Sequence, residues 1–131
     1  MLEAFRDSQD LLSFAEQAGG YTLLIDQVRK DFNRAGLADP LGSRAVSANT
    51  DNPAETPGYP DAEQLEQLLR ETIYRLLLED FDGYLNLMYA VDIPENAFKN
   101  LRVTDAVEVA GQVALLLLMR EWQKVRTRLS P

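Results

Sequence analysis

The chain has 131 residues, 46% of them apolar and 26% charged, and carries a net charge of −8. That length suits one domain with a single buried core, and the acidic balance argues against a nucleic-acid backbone or an anionic membrane as the main partner. With no Cys and no His there is no disulfide framework, no thiolate zinc site and no Ser-His or Cys-His nucleophile, so any catalysis has to run on carboxylates, Lys, Arg or Tyr.

The first segment, SQDLLSFAEQAGG, predicts a helix capped by Ser8, with Leu11, Leu12, Ala15 and Ala18 along one side and Gly19-Gly20 at its end. Helix can begin earlier, because Leu2 and Phe5 continue the spacing. In YTLLIDQVRKDFNRAGL, the residues Tyr21, Leu24, Ile25, Val28 and Phe32 recur at helical spacing while Asp26, Arg29, Lys30 and Arg34 fill the opposite face. Gly36 followed by Leu37 fits a left-handed C-cap with its apolar contact. Residues 2–36 thus form a helix pair.

Residues 38–60 change character, holding four of the six prolines amid Ser, Asn, Thr and Gly. Such a segment is long for a loop in a compact domain, and its composition predicts a mobile linker.

Asp61 caps a third helix in which Leu65, Leu69, Ile73, Leu76, Leu77, Phe81, Tyr84, Leu85, Met88 and Val91 follow one broad apolar face. No proline interrupts 61–91, so the spacing predicts one helix about 45 Å long, with Gly83 as its weak point. Ile93, preceding Pro94, is pushed away from helical angles, which ends this helix by Asp92. Pro94 and Glu95 suit the first turn of a short helix, whose free amides Asp92 can accept. Thr104 or Asp105 then caps a last helix, 104–129, apolar all round at its centre and basic at its end. Its apolar run from Val113 to Met119 is far shorter than the ~20 residues that span a bilayer, and the cytoplasm is the expected compartment.

No segment alternates as a strand does. The expected fold is a single all-α domain over 1–131: a bundle of four to five helices, two of them long (about 61–91 and 104–129). The mobile Pro/Ser-rich linker 38–60 joins the N-terminal pair to the C-terminal part, 61–131.

One acidic constellation stands out. Glu63-x-x-Glu66 and Glu79-x-x-Asp82 are pairs three residues apart, each on one helix face, and two such pairs on facing helices can hold Mg²⁺. The spacing resembles the metal motif of the all-α nucleoside triphosphate pyrophosphohydrolases, the MazG-like group. The following YLNLMYAVDIPENAFKNLR is similar in style to their helix, corner and basic exit. The resemblance covers about forty residues and implies Glu63, Glu66, Glu79 and Asp82 as ligands, with Asn86, Lys99 and Arg102 contacting a nucleotide. It places the two pairs on antiparallel helices, whereas on one unbroken helix Glu66 and Glu79 stand about 20 Å apart. The LNLMYAVDIPENAF segment ahead of a basic C-terminal helix also resembles small, uncharacterised, all-helical bacterial proteins, a likeness that implies no activity.

The reading favoured by composition is a non-enzymatic interaction or structural module with no cofactor, its partner a protein and first of all a second copy. Two long helices and two short ones leave apolar surface uncovered, and such surface buries against another chain. Trp122, Tyr84 and Met88 are the candidate contact residues, Trp122 being either a core-edge residue or an anchor in a partner's groove. The alternative is the Mg²⁺-dependent pyrophosphohydrolase.

Overall fold

The computed structural model describes residues 6–38, 40, 61–99 and 105–129. Every regular element among them is a helix: α1 Ser8–Gln17, α2 Tyr21–Arg34, α3 Ala62–Glu79, α4 Phe81–Val91, α5 Glu95–Lys99 and α6 Ala106–Leu129. The fold is all-α, as expected. The segment read as a linker, 38–60, lies outside the described residues except for 38 and 40, as do Leu2, Phe5 and Thr104.

Capping explains where most helices begin and end. Asp7, one residue before the expected Ser8, caps α1 by accepting the Asp10 amide at 2.9 Å, and Ser8 becomes the first, buried helical residue. The turn after α1 runs through Gly19 at φ +75°, which lets the Gly20 amide reach the Ala15 carbonyl at 2.9 Å. Gly36, at φ +76°, does the same for α2, and Leu37 donates to Phe32 at 3.0 Å. At the head of α3, Asp61 accepts the Gln64 amide at 2.9 Å while the Gln64 side chain accepts the Asp61 amide at 3.1 Å.

The expected single helix over 61–91 is two helices. Asp80 leaves helical angles at φ −151°, ψ 72°, and its carboxylate accepts the Gly83 amide at 3.0 Å, capping a new helix. A local side-chain acceptor has replaced the helix ladder at that point. Gly83 is the residue that permits it, because a Cβ there would collide with the Asp80 carboxylate. The break also moves Phe81 off the buried face, leaving it 54% exposed.

At the next corner Asp92 takes the left-handed conformation, φ 69°, and Ile93 donates to the Met88 carbonyl at 3.0 Å. Asp92 does not serve the amides of α5; its carbonyl and carboxylate both accept from Arg120, at 3.0 and 3.1 Å.

Buried apolar side chains from all six helices form one cluster, including Leu11, Phe32, Leu69, Leu87, Phe98 and Leu117. Helix α6 runs through it, packing against α1, α2, α3 and α4. A helix with neighbours on several sides needs an apolar surface all round, which is why its centre is so rich in Leu. Its longest seam is with α3. No helix among the described residues is long and apolar enough to cross a membrane.

Candidate docking surface

Helix α3 buries Leu65, Leu69 and Ile73 on the face toward α1 and α6. The stripe beside it carries Gln67, Glu71, Tyr74 and Leu78, spaced four, three and four residues apart. Alternating steps of four and three keep side chains on one nearly straight seam of a helix, the spacing that helices use to pack against each other. Here the seam faces outward. Tyr74 is 38% exposed and Leu78 59%, and Val107 at the start of α6, also 59% exposed, extends the patch across the α3–α6 seam.

Tyr74, Leu78, Val107 and Ala110 line a surface groove of about 610 Å³, rimmed by Arg70, Glu71, Arg75 and Glu79. Past Arg70 and Val107 a second depression leads to the start of α1. Of the six large apolar side chains exposed among the described residues, Tyr74, Leu78 and Val107 line this one groove. Scattered exposed apolar residues are ordinary, whereas a contiguous strip with a charged rim is the anatomy of a contact surface.

The residues expected to make contacts are elsewhere. Trp122 and Tyr84 are each 3% exposed and Met88 is fully buried, so in this chain all three are core. Trp122 meets Phe14 of α1 edge-on with ring centroids 6.0 Å apart, and Tyr84 packs against Phe81 and Phe98. Burial raises the Tyr84 hydroxyl above its ordinary range. Helical periodicity identified the apolar residues of α4 and α6 but not which of them a neighbouring helix would cover.

The four acidic residues of the alternative reading are not brought together. Glu63, Glu66 and Glu79 occupy one helix, with Glu66 and Glu79 about 20 Å apart along its axis, and Asp82 follows on α4. Glu66 is paired with Arg70 at 2.5 Å. Among the described residues, no three His, Cys, Asp or Glu side chains are placed to hold a metal ion. Asn86 is exposed on α4; Arg102 lies outside the described residues.

A second polar feature escaped the sequence reading. Asp31 of α2 and Glu121 of α6 are both fully buried, with Lys124 reaching Asp31 at 2.7 Å and standing 3.6 Å from Glu121. Gln27 donates to Asp31 at 3.3 Å and accepts from Arg128, Arg34 reaches Asp31 at 3.4 Å, and Lys124 also donates to the Ala90 carbonyl at 3.5 Å. No donor satisfies either Glu121 oxygen, so an ionised Glu121 would be buried without a hydrogen bond. Burial first, then hydrogen bonding toward Asp31 and the Asp31 charge, push its carboxyl up to about 10, so it keeps its proton and can donate it to Asp31. Burial alone would raise Asp31 too, but the bonds from Glu121, Lys124 and Gln27 and the Lys124 charge hold it below the usual carboxylate range. With Asp31 negative, Glu121 neutral and Lys124 positive, the three balance. The basic end of α6 thus reaches α2 through Lys124 and Arg128 and the Asp92 corner through Arg120. One signal was legible: Asp31 follows Leu24 and Val28, and Glu121 follows Val113 and Leu117, at the spacing of buried positions.

Compared with known proteins, the chain matches no family model, no curated protein and no solved structure.

Proposed function

We propose that this protein is a helical interaction module that self-associates through the groove between α3 and α6. The observation that carries the reading is the exposed pair Tyr74 and Leu78 with Val107 beside it, apolar side chains on one groove that no helix among the described residues covers. Burying such side chains is worth about 25 cal/mol for each Å² removed from water, so a second helix laid into the groove is favoured. The choice of a second copy follows from charge. A chain at net −8 repels its own copies over most of its surface, but the groove rim carries both signs, Arg70 and Arg75 beside Glu71 and Glu79. With Arg70 paired to Glu66, Arg75 is the cation that can meet a carboxylate of a second copy.

Amide hydrogen exchange measured at two protein concentrations tests the reading. The amides of residues 70–80 exchange more slowly in the concentrated sample, while the far side of the molecule, α2 and α5, is unchanged. Exchange in 70–80 that is independent of concentration from micromolar to millimolar contradicts self-association through this face.

A further inference from the structure

We infer that the second copy lies antiparallel across the groove, about a twofold axis beside Leu76 and Leu77, with Tyr74 of each copy on Leu78 of the other and Arg75 of each facing Glu79 of the other. The inference rests on the self-association proposed above and adds its orientation and register.

In a twofold interface the same patch meets itself, so if one residue contacts another across the axis, the reverse contact is also made. Along α3 the pattern of an apolar residue followed by a charged one occurs twice, as Tyr74-Arg75 and, four residues on, as Leu78-Glu79. Residues four apart are neighbours on a helix, so Tyr74 and Leu78 form one stripe and Arg75 and Glu79 the stripe next to it. The midpoint of the first pair is Leu76 and that of the second is Leu77. The two midpoints are one residue, about 1.5 Å, apart, so one axis between Leu76 and Leu77 sets Tyr74 close to Leu78 and Arg75 close to Glu79, filling the apolar stripe and pairing all four charges.

A parallel pairing in register instead sets Tyr74 on Tyr74 and Leu78 on Leu78 and puts the two Arg75–Glu79 stripes on opposite sides of the interface, so that Arg75 does not meet Glu79 of the other copy. Both charges are available, because among the described residues neither has an ion-pair or hydrogen-bond partner; Glu66, by contrast, is occupied by Arg70. Tyr74 and Leu78 are exposed on the same groove.

Two measurements test the register. The chain has no Cys, so Gln67→Cys introduces a single thiol for a spin label on the exposed seam. In the antiparallel dimer the two labels stand roughly 30 Å apart, from the axial rise between residue 67 and the axis in each copy. In a parallel dimer they stand roughly 10 Å apart, one interaxial spacing. Charge exchange is the second test. Arg75→Glu and Glu79→Arg each weaken the dimer by about tenfold or more, since each sets like charges across the axis, and the double variant restores it. A dimer with labels roughly 10 Å apart, or one that the double charge exchange fails to restore, overturns the antiparallel register while leaving self-association standing. A chain that stays monomeric, with unchanged helical content in every variant, overturns both.

Discussion

Asp31 and Glu121, far apart in sequence, are both fully buried beside one cation, Lys124, which reaches Asp31 at 2.7 Å and stands 3.6 Å from Glu121. The arrangement makes stability depend on pH. Unfolded, Glu121 releases its proton near 4.5; folded, near 10, so the folded chain binds an extra proton between those values. The contribution of this group is complete below the unfolded value and is lost as pH rises toward the folded one. Asp31 acts in the opposite sense, its contribution lost as pH falls through its depressed folded value.

Glu121→Gln keeps the shape and can still donate to Asp31 but carries no proton to lose. It is expected to raise stability at pH 7 by up to about 3 kcal/mol and to flatten the pH dependence between pH 5 and 9. Urea unfolding of both proteins across that range measures it. Lys124→Met, which leaves Asp31 buried without its cation, is expected to cost about 3–5 kcal/mol at pH 7.

The break between α3 and α4 gives a sign-changing prediction. Gly83→Ala drives a Cβ into the Asp80 carboxylate and is expected to cost about 1–2 kcal/mol, as loss of a cap does. With Asp80→Ala already present, the same substitution is expected to stabilise by about 0.5–1 kcal/mol, because Ala outranks Gly inside a helix. A double-mutant cycle by thermal unfolding measures both.

Much of the fold was legible because long-period patterns report on it: Leu24, Val28 and Phe32, or Leu65, Leu69 and Ile73, can face only one way on a helix, and all are buried. The turn at Gly36 was legible for the same reason, as it depends on a few adjacent residues. The break at Asp80 was not, since no proline marks it and it rests on one carboxylate outcompeting a ladder bond. The Asp80-x-x-Gly83 spacing with acidic Asp82 in the first turn was its faint signal. The docking strip was half legible. Periodicity left Leu78 off the buried face of α3, but that Val107 of α6 lies on the same groove depends on how the two helices pack. The acid pair was least legible, because burial of Asp31 and Glu121 depends on partners brought together from distant helices.

Helix phase gives a test of packing on α6. Leu117 is fully buried while its neighbour Leu116 is only half-buried at the edge of the cluster. Leu117→Ala is expected to cost about 2–5 kcal/mol by leaving a cavity, and Leu116→Ala about half as much or less. Equal losses in denaturant midpoint would place α6 in a different phase.

Docking of a second copy on the exposed strip of α3 is tested by sedimentation equilibrium of the wild type beside Leu78→Asp. Leu78 is 59% exposed, so the substitution is expected to leave helical content and melting temperature of the dilute protein within the range of ordinary surface changes. A wild-type dimer at micromolar concentration and a Leu78→Asp monomer at the same concentration are expected. A wild type that remains monomeric to millimolar concentration, or a dimer that Leu78→Asp leaves intact, would contradict docking there.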